Sequence, residues 1–296
     1  MMKLLLTGKN GQLGFELQRA LAPLGEVVAL DHAGCDLRDP DAIRRVVRDI
    51  GPAFIVNPAA YTAVDRAESD QEAAFAVNAT AVGILGEEAA RIGACVIHYS
   101  TDYVFNGEKA APYSEDDTPD PQSVYGRSKL AGEQALQASG ANNLILRTSW
   151  VVGAHGENFA RTMLRLAATR DSLSVVSDQF GAPTSASLLA DVTAHLVRQA
   201  QTDSAGAFPF GLYHLAAGGD TNWHEYACVV IDAAVKAGRP LKIAPEQIVP
   251  ILAAAYPTAA RRPANSRLNT KKLRDSFGLT LPHWREGLAH VLRQII

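Results

Sequence analysis

The segment KLLLTGKNGQLGFELQRAL, residues 3–21, leaves a chain few folds to choose from. Lys3 to Thr7 is a short apolar run that breaks at a glycine, the mark of a buried strand. From Gly11 to Leu21, apolar residues recur at Leu13, Leu17, Ala20 and Leu21, which is one face of a helix. Gly8, Gly11 and Gly14 lie between the two. Backbone there can approach a ligand closely, and the helix end offers free N–H groups and a partial positive charge. Strand–glycine loop–helix units of this kind hold the pyrophosphate of a dinucleotide. The spacing Gly-x-x-Gly-x-x-Gly departs from the commoner Gly-x-Gly-x-x-Gly, and a purely structural tight turn is the competing reading.

The same alternation continues downstream. Strands are predicted at Glu26–Asp31, Ala53–Asn57, Ala94–Thr101 and Asn143–Ser149, with helices at Asp41–Ile50, from about Gln71 to Gly93, and at Val124–Ser139. Strands alternating with helices imply right-handed crossovers and a doubly wound parallel sheet covered on both faces. Beyond Trp150 the rhythm loosens. Helices are predicted at Phe159–Thr169, Ser187–Gln201, Trp223–Ala237 and Trp284–Ile296, and a strand at Leu212–Ala217 returns to the sheet. The expected division is a dinucleotide-binding domain, residues 1–150 plus about 187–220, and a smaller, discontinuous substrate domain, about 151–186 plus 221–296.

Composition narrows the function classes. A net charge of −3 across 296 residues supplies no basic stripe to neutralise phosphates, which argues against a nucleic-acid partner. Cys35, Cys95 and Cys228 are isolated, with no zinc-type spacing, so no metal site is expected and all three read as small apolar residues in a reducing compartment. The apolar run at the N-terminus is too short for a signal peptide, and none is long enough to span a bilayer, so no membrane partner and a cytoplasmic location are expected.

Several side chains are placed by this frame. Asp31 ends the second strand about 20 residues beyond the glycines, where an acid binds the adenosine ribose 2′-hydroxyl and favours NADH. Lys9, inside the loop, can offset a 2′-phosphate, so NADPH stays open, and Asp36 and Leu37 in the CDL segment are placed beside the adenine. Ala60, Tyr61 and Thr62 follow the third strand, where the nicotinamide half would lie. Tyr125 and Lys129 share a helix face four residues apart, and an ammonium beside a phenol lowers the phenol's pKa from about 10. Thr101 ends the fourth strand beside them. A hydroxyl that orients a carbonyl and a tyrosine that protonates it make a reducing site. A surface pair on the helix is the plainer reading of Tyr125 and Lys129.

The stretches GKNGQLG, NPAAYTAVDRAE, HYSTDYVFNG, VYGRSKLAGE, SDQFGAPT and RRPANSRLNT together resemble the extended short-chain dehydrogenase/reductase family over essentially the whole chain. The resemblance implies reduction of the 4-keto group of a dTDP-sugar, dTDP-4-dehydro-6-deoxy-L-mannose, to dTDP-L-rhamnose with NADPH or NADH. It implies Tyr125 as proton donor, Lys129 as its partner and ribose ligand, and Thr101 as hydroxyl donor. Gly11, Gln12, Leu13, Asp31, Ala60 to Thr62 and Tyr99 would bind the cofactor. Thr101 and Asp102 would touch the sugar, flanked by Trp150. Asn158 at a helix start, Arg262 by its charge, and Asn265 are then expected near the sugar diphosphate. Dehydratases of this fold carry Thr-Asp-Glu where this chain has Thr101-Asp102-Tyr103, so their acid/base pair is missing. Another nucleotide-sugar reductase, a 4-epimerase and a non-enzymatic regulatory subunit remain as alternatives. Neither pattern nor resemblance separates a monomer from a homodimer.

Overall fold

The computed structural model describes residues 1–203 and 205–296. Six strands form one parallel sheet: β1 (Lys3–Leu6), β2 (Glu26–Ala29), β3 (Phe54–Asn57), β4 (Cys95–Thr101), β5 (Asn142–Thr148) and β6 (Gly211–His214). Their order across the sheet is β6-β5-β4-β3-β1-β2. The chain steps outward from β1 to β2, then returns to the far side of β1 to lay down β3. Crossovers therefore diverge between β1 and β3, and a crevice opens beyond the carboxyl ends of these strands.

The pleat distributes β1 between two cores. Leu4 and Leu6 pack with Leu13 and Leu17 of helix α1 (Gln12–Leu21) and with Leu189 and Leu196 of the helix Ala186–Thr202. Leu5 faces the other way, onto Ile43 and Val47 of the helix Pro40–Ile50 and Val82 and Leu85 of the helix Ala81–Ile92. A separate apolar core joins Leu164 of the helix Phe159–Ala167, Tyr226 and Val230 of the helix Trp223–Lys236, and Trp284 and Leu288 of the helix Trp284–Ile295.

The structure departs from expectation at two places. The alanine-rich segment after Gln71 is not one regular helix: Gln71–Phe75 leads through a wide π turn, Ala76–Thr80, into Ala81–Ile92. Within that turn Asn78 is buried, accepting from Tyr61 N at 2.9 Å and donating to Tyr61 O at 3.1 Å and Ser128 Oγ at 3.0 Å. The widened turn is matched to those bonds rather than to hydrophobic period, so the sequence carries no periodic trace of it. The last sheet strand also stops at His214 rather than Ala217.

Helix α2 (Val124–Ala138) is clamped to the sheet by a buried ion pair. Arg147 on β5 donates from Nε and Nη2 to the two carboxylate oxygens of Glu133, at 2.9 and 2.6 Å, and its guanidinium lies 5.0 Å from the centre of the Phe105 ring. Both side chains are almost fully buried. Removing one partner strands a charge in the interior, which costs about 3–5 kcal/mol, whereas removing both costs far less. Arg147→Met should therefore destabilise the fold by about that amount, and adding Glu133→Leu should recover most of it. Urea denaturation measures both; a single-variant loss below about 1 kcal/mol would contradict the assignment.

Candidate active site

The site begins with the glycine loop. Gly8 takes a left-handed φ of 61°, and Gly14 packs so tightly that an added Cβ would lie 2.0 Å from the Gly8 carbonyl oxygen. Gly11 N–H donates to the same Gly8 oxygen at 3.0 Å and Gly11 caps α1. The tight-turn reading and the cradle reading thus describe one object: the turn brings the helix N-terminus up to the crevice. A cavity of about 750 Å³ fills the crevice, and the residues assigned above to the cofactor, from Gly8 to Lys129 and with the exception of Lys9, lie on its walls.

At the β2 end, Asp31 sits two residues past its strand. Its carboxylate accepts from Gly34 N–H at 3.1 Å and pairs with Lys9 Nζ at 3.2 Å, and these two contacts hold it below the usual carboxylate range. Asp36 is held lower, at about 2, by the Arg38 guanidinium at 2.9 Å. Ala60, Tyr61 and Thr62 follow β3, and Tyr61 is fastened at both ends, its backbone on Asn78 and its hydroxyl on Asp70 at 2.9 Å.

At the reacting end, β4 delivers Thr101 and α2 delivers Tyr125. Ser123 caps that helix by accepting from Gly126 N at 3.1 Å, and Glu68 accepts from Val124 N at 2.8 Å, so the first turn has little freedom. The Tyr125 ring meets Tyr103 edge-on at 5.5 Å. Burial pushes the Tyr125 phenol well above its ordinary value, with the Thr101 hydroxyl pulling the other way and the Asp102 charge adding to the rise.

This overturns the expectation of a phenol depressed by its neighbouring ammonium. Lys129 does not turn to Tyr125. Its Nζ, buried with the rest of the side chain, donates to the Tyr99 carbonyl at 2.6 Å and lies 3.1 Å from His98 Nε2. Burial lowers it to about 8. The i, i+4 spacing put both residues on one face, but the β4 backbone offered the ammonium a nearer acceptor than the phenol.

The residues expected at the substrate are divided by the fold. Thr101 Oγ1 donates to Asp102 Oδ1 at 3.1 Å, next to Tyr125. Arg262 approaches the same end, paired with Asp65 at 2.7 Å, and its charge opposes the rise that burial gives the Tyr103 phenol. Trp150, the one non-glycine residue with positive φ (49°) among the described residues, stacks on Trp223 at 3.6 Å over Gly181. That strained backbone is tolerated because the indole is locked by the stack.

Two expected ligands are engaged elsewhere. Asn158 caps its helix through Arg161 N at 3.0 Å and donates to Gly153 O and Gln12 Oε1 at 2.8 and 3.1 Å. Gln12 Oε1 also accepts from Gly153 N at 2.8 Å, so these side chains strap the glycine loop to residues 153–158. Asn265 is buried, donating to Lys109 O and Ala111 O and accepting from Arg267, which closes a loop and leaves no group for a diphosphate. Asn78, Tyr103 and Ser266, whose hydroxyl draws the Asp102 carboxyl down, were missed. Tyr103 stood beside Thr101 in the sequence; the other two had no local signal.

A family model described as "RmlD substrate binding domain" matches residues 2–296. The chain belongs to this family. Among members, it is 52% identical to the dTDP-4-dehydrorhamnose reductase of Escherichia coli K12, over 99% of this chain and 98% of that one. It is 48% identical to the enzyme of the same name from Burkholderia thailandensis, over 100% and 99%. A crystal structure of dTDP-4-dehydrorhamnose reductase from Bacillus anthracis in complex with NADP superposes with a TM-score of 0.90, at 33% identity, covering 99% of this chain and 100% of that one. A UDP-glucose 4-epimerase structure from Thermus thermophilus, TM-score 0.79 at 22% identity, shares the fold. Among the described residues no helix is long and apolar enough to cross a membrane.

Burial makes Asp102 a pH sensor of stability. Its carboxyl is raised to about 6 by desolvation, against the hydroxyls of Ser266 and Thr101. A raised acid favours the fold while protonated and opposes it once ionised. Its contribution is therefore lost as pH climbs through about 6. Asp102→Asn should raise the unfolding free energy by about 3 kcal/mol at pH 8 and change it little at pH 4. Melting curves at both values check this; equal shifts would mean that Asp102 is not desolvated.

Proposed function

We propose that the protein reduces dTDP-4-dehydro-6-deoxy-L-mannose at C4 to dTDP-L-rhamnose, with NADPH or NADH. The observation that carries this reading is the placing of the Tyr125 phenol on the wall of the cavity that the glycine loop opens, with Thr101 buried next to it at the end of β4. Relatives of that name match this chain end to end, and one of them holds NADP. The dinucleotide lies along the glycine loop and the carboxyl ends of β1 to β4. The sugar lies between Tyr125 and the part of the chain that carries Trp150 and Arg262, and the core built on Tyr226 and Trp284 belongs to this substrate-holding unit.

A bound nicotinamide supplies the hydride. The rest is done by side chains. Thr101 donates a hydrogen bond to the C4 carbonyl oxygen and fixes its direction. Tyr125 gives that oxygen its proton as negative charge develops there. A phenol held high by burial stays protonated through the neutral range, which is the state a proton donor needs. Lys129, braced on the Tyr99 carbonyl, sets the floor under the ribose side of the nicotinamide.

Oxidation of NADPH and NADH with a panel of nucleotide-linked 4-ketosugars tests the reading. Turnover confined to another nucleotide, or NAD retained through purification as in an epimerase, would replace it. Tyr125→Phe should cut kcat about 10²–10⁴-fold and leave cofactor affinity nearly unchanged; turnover within a few-fold of the parent removes the proton-donor role. Asp31→Ala should raise the KM for NADH more than that for NADPH, because the lost ligand serves only the free 2′-hydroxyl. Equal changes would mark Asp31 as a loop-holding residue of Gly34 and Lys9.

A further inference from the structure

Beneath the cavity floor runs a chain of buried polar side chains that the reduction does not by itself explain. Thr7, which follows β1 and opens the glycine loop, donates from Oγ1 to Asn57 Oδ1 at 2.5 Å. Asn57 Nδ2 lies 3.1 Å from His98 Nδ1, and the two residues are paired in register across β3 and β4. His98 Nε2 lies 3.1 Å from Lys129 Nζ, which continues to the Tyr99 carbonyl. All four side chains are at most 3% exposed. Thr7 and Lys129 line the cavity, while Asn57 and His98 lie behind its wall.

We propose that His98 is a positioning residue for Lys129, and that the direction of the Thr7–Asn57–His98–Lys129 chain disfavours the ammonium form of this lysine in the unliganded protein, so that it gives up its proton more readily than an exposed lysine. The direction follows from chemistry. A separation of 2.5 Å suits O–H···O and is too short for N–H···O, so the Asn57 oxygen faces Thr7 and its NH₂ faces His98. His98 Nδ1 is then an acceptor, and a neutral imidazole carries its proton on Nε2. That N–H points at Lys129 Nζ, which can accept only as an amine. An ammonium would place two donors against each other.

The surroundings agree. Burial, and the charge Lys129 would carry, keep His98 well below its ordinary pKa against an opposing bond to the Asn57 backbone, so it stays neutral. On α2, Tyr125 is an uncharged phenol. Glu133 pulls Lys129 toward ammonium, but both its oxygens are bound to Arg147 of β5. From the helices packed on the other side come neutral Asn78, bonded to Ser128, and Glu68, whose carboxylate accepts from the backbone at the start of α2. The role of Lys129 in turnover rests on the reductase reading above; the wiring does not.

The chain can be reversed from its far end. Without the Thr7 hydroxyl, Asn57 is free to turn its oxygen to His98. The imidazole proton then moves to Nδ1, and the Nε2 lone pair faces Lys129 and favours ammonium. The test is an NMR titration of the full chain without added ligand, with lysine labelled at Cε and the Lys129 signal identified by its loss in Lys129→Arg. The parent should titrate near 8. Thr7→Val should raise that midpoint by about one pH unit, roughly tenfold in the amine-to-ammonium ratio, while Thr7→Ser, which keeps the hydroxyl, should leave it in place. Should Thr7→Val fail to fold, His98→Gln, whose amide oxygen can turn to Lys129, should raise the midpoint in the same direction. A midpoint unmoved or lowered in whichever of these variants folds, or moved equally by Thr7→Ser, overturns the proposal. No sugar or cofactor enters this measurement, so its failure would leave the reductase reading intact, and inactivity on dTDP-sugars would leave the titration standing.

Discussion

The site depends on one close backbone contact, that of Gly14 against the carbonyl of Gly8. A single methyl there would sit 2.0 Å from an oxygen, far inside any tolerable contact, and would push α1 away from β1. The helix N-terminus, with its free N–H groups and its share of positive charge, would leave the crevice. The leucines of α1 that seal one face of the sheet would move with it. A local absence of side chain thus supports both a packing layer and a candidate binding surface, which is why the loop reads equally well as a turn and as a cradle.

Around that contact the interior is unusually polar. The Arg147–Glu133 pair, Asn78 in its π turn, and the line from Thr7 to Lys129 are all buried. Each of these groups would destabilise the fold if left alone, and each finds a partner on a different element, although Arg147 Nη1 is buried without one. The result is a helix held to the sheet by directional contacts rather than by apolar packing alone. Directional contacts fix position to a fraction of an ångström, which is what a proton donor such as Tyr125 requires if it is to meet a carbonyl in one orientation.

Burial then decides the protonation states. It raises Tyr125 and Asp102 and lowers Lys129 and His98, in every case toward the uncharged form. Of these, Tyr125 and His98 stay uncharged through the neutral range, and an uncharged phenol is the form that can deliver a proton to a carbonyl as charge appears there. The expected alternative, an ammonium acting on a phenol at close range, would have needed Lys129 to leave the Tyr99 carbonyl.

Much of this was legible along the chain. The strand–glycine–helix opening, the strand/helix alternation and the helical face shared by Tyr125 and Lys129 are short-range patterns, set by hydrophobic period and by glycine, and the doubly wound sheet followed from them. The gathering of Asp31, Ala60, Tyr99 and Tyr125 on one cavity wall followed too, since doubly wound topology brings every strand end to the same edge. What no local pattern could decide was which partner a polar side chain would find. Lys129 chose a backbone carbonyl on β4 over the phenol one turn away, Asn158 and Asn265 closed loops instead of awaiting a ligand, and Asn78 widened a helix to reach Tyr61. Hydrogen bonds form with whatever donor or acceptor the packed fold brings within about 3 Å, and many of those neighbours are far away in sequence, as Lys109 is from Asn265 and Gln12 from Asn158. Element order could be read from the chain; the pairing of its buried polar groups existed only once the layers had closed.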